Sequence, residues 1–303
     1  MSLARAIFLL FLLLSCGPWA LAQTAAVPSL APESGQLAAA PGAAPEIIRV
    51  VSFNVHHGDD VPALVQSIQT NAALCSADVF LLQEIESFPA EGQSRTRRLA
   101  EALRLNYVYA PARLKEAGDA THGLAVLSRF PLREVEVIPL KQYNLGVNTR
   151  QRIALGVTLE LGKRRLRLYN VHLDTRINAR QRLEQLQPVV EAARRHTVAE
   201  TVIGGDFNTN PLYWLLPVLP IFRSNQAKVV DDHMKEKGFV TPFAEAGGTS
   251  RKWGGRFRVD AIYSRGLAVK SFAVEESVAI SDHFPLWVDV AWPEKPSDEG
   301  LSR

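Results

Sequence analysis

Thr201-Val202-Ile203-Gly204-Gly205-Asp206-Phe207-Asn208-Thr209 is the stretch from which the fold is read. A short apolar, β-rich run delivers the backbone to two glycines, which permit a tight turn and a close backbone approach. Asp206 and Asn208 follow at the strand end, where polar side chains emerge from a core onto its rim. Two residues apart, they point the same way if the chain stays extended. One can then accept a proton from water while the other orients it. An ordinary Asx turn after glycine accounts for the same residues.

Working outward, five more polar clusters open or close apolar runs in the same manner. They are Ser52-Phe53-Asn54, Gln83-Glu84, Asn170-Val171-His172-Leu173-Asp174, Arg258-Val259-Asp260 and Ser281-Asp282-His283. Together they supply carboxylates, amides and imidazoles but no thiolates, which suits a hard divalent cation and a phosphate ester. Glu84 ends the apolar run Val79 to Leu82, where a carboxylate is costly to bury unpaired. A salt bridge at a strand end is its plainer reading. Asn54 offers a neutral oxygen, and Mg²⁺ takes only one or two protein carboxylates. His283 can be oriented by a carboxylate, with Asp260 the candidate, which fixes its tautomer and favours its cation. His172 is the second imidazole, and the other five histidines are read as structural. There is no His-Glu-x-x-His or paired-cysteine zinc motif, no Gly-x-Ser-x-Gly elbow and no P-loop. Water is therefore the expected nucleophile.

The chain has 303 residues, 47% of them hydrophobic, enough to bury one large core or two small ones. A net charge of +3 excludes a polybasic nucleic-acid arm and steers anions only weakly. Residues 1–22 read as a signal peptide: Arg5, the apolar run Ala6 to Leu14, then Ala20-Leu21-Ala22 before Gln23. Export to the periplasm or the exterior follows. Leu13-Leu14-Ser15-Cys16-Gly17 also resembles a lipobox, so a lipidated Cys16 tethering the protein to a membrane is the alternative. No internal disulfide is expected, and Cys75 reads as a small core residue. Residues 23–46, rich in Ala and Pro, read as a flexible linker, 47–291 as the folded catalytic unit, and 292–303 as a frayed tail.

Helical spacing is present at Val61, Leu64, Val65, Ile68 and Ala72, again from about Ser94 to Leu105, and from Ala179 to Arg195. Strands are expected at 47–55, 79–82, 123–128, 153–161, 165–171, 201–203, 259–263, 268–274 and 286–290, with a hairpin turn at Gly162-Lys163. Strands alternate with helices early and hairpins dominate late. The pattern predicts an α/β (α+β) sandwich with mixed sheets and helices outside.

In order, SFNVHHG (52–58), LLQE (81–84), HGLAVLSRFP (122–131), NVHLD (170–174), GGDFNT (204–209), RVDAIY (258–263) and SDHFPL (281–286) resemble the motifs of the endonuclease/exonuclease/phosphatase superfamily. That superfamily includes pancreatic-type deoxyribonucleases, abasic-site endonucleases, inositol-polyphosphate 5-phosphatases and neutral sphingomyelinases. The resemblance spans roughly residues 47–291. It implies a four-layer sandwich, two packed mixed β-sheets flanked by helices on both outer faces, with the site at one end. It implies Glu84 as the main metal carboxylate for Mg²⁺ or Mn²⁺, with Asn54 beside it and Asp282 touching a metal or supporting the site. Asp206 then activates water, Asn208 orients it, and His172 and His283 hold the phosphate oxygens with Asp260 behind His283. Arg150 or Arg152, preceding a strand, can reach a phosphate oxygen. The substrate is a phosphate ester, either nucleic acid or phospholipid, and no protein partner is implied.

Two features bear on that choice. Arg95-Thr96-Arg97-Arg98 and Lys163-Arg164-Arg165 are small basic groups, read as solvated faces. Residues 211–222 are apolar and aromatic, with three prolines that oppose a long helix. Since aromatics mostly bury, packing over the sandwich edge is the expectation, and an exposed membrane-contacting patch is the alternative.

Overall fold

The computed structural model of the chain describes residues 29–39, 45–146, 149–215, 219–222, 224–252 and 255–293. The expected signal peptide, Cys16 and the tail from 294 onward lie outside the described residues.

Apolar residues on both faces of the central strands dictate the layering. In β2 (Ile47–His57), Ile48 and Val50 face one way and Val51, Phe53 and Val55 the other. In β3 (Val79–Ser87), Val79 and Leu81 oppose Phe80 and Leu82. Strands apolar on both faces must be covered on both sides. β2 and β3 pair in parallel at the centre of a seven-stranded sheet. On the β3 side follow β5 (Thr121–Ser128), β4 (Asn106–Leu114) and β1 (Glu33–Gly35), and on the β2 side β16 (Leu286–Ala291) and β15 (Ala268–Val274). The second sheet runs β14 (Asp260–Arg265), β9 (Thr201–Asp206), β8 (Arg164–His172), β7 (Ile153–Leu161) and β6 (Leu132–Pro139). Only β8 and β9 are parallel in it.

The inner faces meet in one core built from residues such as Val50, Leu81, Val126, Leu155, Leu168, Val202 and Ile262. Outside the first sheet lie α1 (Val61–Thr70), α2 (Ala72–Cys75) and α3 (Arg95–Leu103), burying Leu64, Ile68, Leu74 and Leu99. Outside the second lie α4 (Ala179–Arg195) and α5 (Gln226–Glu236), burying Leu186, Val190, Val230 and Met234. The four layers are those the sequence implied.

Several local readings change. The expected helix through Ala72 breaks at Asn71, whose side chain accepts from the Ala73 and Leu74 N–H groups and starts α2. That restart turns Cys75 out to solvent, so it is not a core residue. Part of the expected linker is strand: Glu33–Gly35 pairs with β4, and Glu33 accepts a hydrogen bond from the Tyr107 hydroxyl (2.8 Å). Trp292, placed in the tail, packs against the inter-sheet core. β4 and β6 escaped the reading for different reasons. Pro111 sits at a register shift in β4, and β6 is an edge strand whose short Glu134-Val135-Glu136-Val137 alternation marks no buried face, since Arg133 to Val137 are all exposed. Residues 211–222 include a hairpin, β10 (Leu212–Leu215) with β11 (Leu219–Phe222). Tyr213, Leu215, Leu219 and Ile221 pair across it on one face and are all exposed, against the expectation that the segment buries. A second small hairpin joins β12 (Ser250–Lys252) and β13 (Gly255–Phe257).

Candidate active site

Topology brings the polar clusters to one end of the sandwich. The C-terminal ends of β2, β3, β8 and β9 and the N-terminal ends of β5, β7, β14 and β16 meet there. Gly205 lets β9 pass Val171 closely, which sets Asp206 opposite His172 in register.

Asp206 is the hub and is buried. Its Oδ2 accepts from Asn54 Nδ2 at 3.0 Å and lies 3.6 Å from His172 Nε2 and 3.8 Å from His283 Nε2. His283 is held from behind, with its Nδ1 2.9 Å from Asp260 Oδ2. A carboxylate at Nδ1 must receive a proton there, so the ring presents Nε2 toward Asp206. Asp260 is fixed in turn by the Thr249 hydroxyl (2.7 Å), which also accepts from the Val259 and Asp260 N–H groups. Ser281 donates to the Asn54 carbonyl (2.7 Å) and accepts from the His283 N–H, fixing the loop before β16 against the end of β2 beneath the site.

His172 belongs to a second arm. Its Nε2 is 3.6 Å from Glu84 Oε1, and both ring nitrogens are 3.0 Å from an Arg152 guanidinium nitrogen. Burial, then the Arg152 charge, hold its pKa well below the usual imidazole value, so it is neutral at physiological pH. Arg152 also donates to Asp174 (3.0 Å). It is buried and already partnered, whereas Arg150 is half-buried. Arg113 stands close enough that, after burial, Arg150 and Arg152 both push its pKa down. The three guanidinium groups together make this part of the site positive, which favours an anion beside it.

Glu84 reaches the site because the β3–β5 register shifts between Gln83 and Ile85, and Glu84 takes φ 61°. A bulge of this kind re-aims a side chain. Ligand atoms of Glu84, His172 and Asp206 lie within 4.8 Å of one another. Two carboxylates, an imidazole and a nearby amide fit a hard divalent cation. Asn54 has a further role: its amide positions Asp206, and its oxygen accepts the His56 N–H (3.1 Å) with a second lone pair left over for a cation. Asp282 is at the edge, 28% exposed, with Oδ1 3.9 Å from His283 Nε2, and belongs to none of these ligand groups among the described residues.

Asn208 departs from the extended geometry. It takes φ 52°, its N–H donates to Asp206 Oδ1 (2.8 Å) and its amide donates to the Leu173 carbonyl (2.9 Å). The Asx turn is therefore present. Asn208 still lines a small cavity with His283, Thr175 and Asn210.

Four groups were missed. His122 is buried beside His172, with ring centroids 6.2 Å apart. Asn170, from the second sheet, donates to the Leu82 and Ala125 carbonyls of the first and accepts from Gln83. Arg182, fully buried, donates to the carbonyls of Asp174, Phe207 and Ile177. Thr249 carried no signal at all. Arg182 did carry one, because it lies four residues before Leu186 on the inward face of an amphipathic helix.

No curated protein sequence matches this chain. Solved structures do. An endonuclease/exonuclease/phosphatase from Beutenbergia cavernae DSM 12333 aligns with 84% of this chain and 73% of that one, at 20% identity and a TM-score of 0.66. The human Nocturnin catalytic domain, solved with a sulfate anion, aligns with 82% of this chain and 94% of that one, at 17% identity and a TM-score of 0.59. A mannosyl-6-phosphatase from Bacteroides thetaiotaomicron VPI-5482 aligns with 81% of this chain and 100% of that one, at 18% identity and a TM-score of 0.57. At these identities the likeness shows the fold. The model of the Endonuclease/Exonuclease/phosphatase family matches residues 51–283, and on that match the chain belongs to this family of hydrolases acting on phosphoester bonds.

Proposed function

We propose that the chain is an exported, divalent-metal-dependent phosphodiesterase that hydrolyses its substrate by in-line attack of water. The observation that carries the reading is the meeting of one buried carboxylate, Asp206, with Asn54, His172 and His283 at 3.0, 3.6 and 3.8 Å. A divalent ion, Mg²⁺ or Mn²⁺, held by Glu84 and its neighbours supplies charge neutralisation at the phosphoryl oxygens when bound. Asp206 takes the proton of the attacking water. Free aspartate, with a pKa of about 3.9, is a weak base, so its effect comes from position and from the rising acidity of the water during attack. Asn208 orients that water. His283, with Nδ1 committed to Asp260, presents Nε2 to a nonbridging oxygen, and neutral His172 donates to another. Arg150 and Arg152, with Arg113, receive the anionic charge.

The test uses the mature chain with bis-p-nitrophenyl phosphate and Mg²⁺ or Mn²⁺. Hydrolysis should cease in EDTA. Asp206→Ala and His283→Ala should each lower the rate by about 10²–10⁴-fold at an unchanged unfolding midpoint. Wild-type turnover in either variant sinks the mechanism.

A lipid ester is favoured over nucleic acid. The exposed apolar face of Tyr213, Leu215, Leu219 and Ile221 begins five residues after Asn208. The basic groups offer no groove: Arg95 pairs with Asp59 and Glu91, Arg97 with Glu101, and Arg98 with Glu91. Lys163, Arg164 and Arg165 lie at the start of β8, the far end from His172. Co-sedimentation with sphingomyelin–phosphatidylcholine vesicles should fall in Leu215→Ser and Leu219→Ser. Equal binding by wild type and variants, or faster hydrolysis of DNA or RNA than of lipid, rejects this choice.

A further inference from the structure

We infer that the chain carries a second cation site, built by His57, Glu84 and His122, that takes a first-row transition ion of the zinc type. Each of the three offers a ligand atom, and those atoms lie within 4.8 Å of one another. They come from three neighbouring strands: the end of β2, the bulge of β3 and the start of β5. No sequence spacing announces such a group, which is why these histidines read as structural.

The group looks built for a ligand. His122 is only 3% exposed, and its Nε2 is buried with no hydrogen-bond partner. A buried imidazole nitrogen left unmatched is costly, and a cation matches it. Both His57 and Glu84 sit in left-handed backbone, at φ 73° and 61°. Non-glycine residues hold that conformation only where the surroundings enforce it. Behind His57 stands a carboxylate: Glu86 Oε1 is 3.0 Å from its Nδ1, while Glu86 Oε2 accepts from Lys115 Nζ at 2.7 Å. A carboxylate behind an imidazole is the common outer support of a metal-binding histidine.

Donor chemistry separates this site from the one used for hydrolysis. Two imidazoles and one carboxylate suit zinc-like ions, whereas oxygen-rich sets suit Mg²⁺. The two sites share Glu84 and nothing else, so the proposal rests on the placement of these side chains and stands whichever ester is hydrolysed.

The experiment reads binding rather than turnover. Metal-stripped mature chain in millimolar Mg²⁺ is titrated with Zn²⁺ by calorimetry and against a chromophoric chelator. Co²⁺ is then added separately and followed by its visible absorption. Wild type should bind Zn²⁺ tightly, and His57→Ala and His122→Ala should each weaken it by about 10–100-fold or more. Asp206→Ala should bind Zn²⁺ like wild type. Circular dichroism checks folding. If His122→Ala does not fold, the half-exposed His57→Gln decides the matter, with loss of the Co²⁺ band expected. Absence of Zn²⁺ uptake overturns the proposal and leaves water as the partner of His122. So does affinity unchanged in the histidine variants, or affinity lost in Asp206→Ala alone.

Discussion

Gly205→Ala probes how the double glycine builds the site. Gly205 has φ 150° and pairs with Val171 in the parallel β8–β9 ladder. A Cβ placed there would lie 2.0 Å from the Val171 carbonyl oxygen and 2.9 Å from its C and N atoms. All three are backbone atoms of a strand inside a sheet, so they cannot swing aside as a flexible side chain can. The conformation costs an L-residue about 1–3 kcal/mol, and opening the overlap adds about 1–3 kcal/mol. A combined loss of about 2–6 kcal/mol is a large share of the roughly 5–15 kcal/mol that stabilises a domain. Urea unfolding followed by circular dichroism measures it, with activity read on the same preparation. Because Val171 precedes His172 and Gly205 precedes Asp206, any relief of the clash also moves those two side chains apart. Folded Gly205→Ala should therefore lose hydrolysis as well. Gly247→Ala is the control: it has no positive φ and no atom within 4 Å of its added carbon, so a change within about 0.5 kcal/mol is expected. A wild-type midpoint and slope for Gly205→Ala would refute the reasoning.

Other variants test the supports of the site. Asn170→Ala removes two donated bonds from one sheet to the other's carbonyls and should lower stability by about 2–4 kcal/mol, read from the urea midpoint. Arg182→Met strips three buried carbonyls of their donor. The expected loss is about 3–5 kcal/mol, with weaker hydrolysis at temperatures where the protein stays folded, because Asp174 and Phe207 lose their anchor. Asp289 supplies a pH test away from the site. Burial raises its pKa, but the Arg49 and Ser271 hydrogen bonds outweigh that and hold it below 3.8. A depressed carboxyl stabilises fully above its unfolded pKa and loses that contribution as pH falls through the folded value. Asp289→Asn should thus cost about 1 kcal/mol at neutral pH, and the gap from wild type should close in acid below the unfolded value. A gap that persists unchanged to low pH would show that the Arg49 pairing is not its source.

The layers were legible because burial leaves a periodic trace. Ile48 and Val50 against Val51 and Phe53, or Leu183 and Leu186 in α4, place core faces from spacing alone. The polar residue ending each apolar run was legible for the same reason, and the structure collects those ends around Asp206. What stayed hidden depends on single backbone conformations or on contacts between distant segments. Asn208 turns left-handed, which no dipeptide rule demanded. Glu84 enters through a bulge rather than at a strand end. Thr249 finds Asp260 only after β12 and β14 are in place. His122 reads as a lone histidine until β3 and β5 pair. The hairpin of residues 212–222 reads as buried because its side chains are apolar, and composition carries no record of which face meets water.

The central claim is that Glu84 holds a hard cation beside Asp206, against a phosphate gripped by His172 and His283. A crystal grown with Mn²⁺ and inorganic phosphate, measured for anomalous scattering at the manganese edge, tests it most directly. The expected result is a manganese peak at bonding distance, about 2.1 Å, from a Glu84 carboxylate oxygen, with phosphate oxygens in hydrogen-bond contact with both imidazoles. A manganese ion remote from Glu84, or phosphate bound away from His172 and His283, would contradict it.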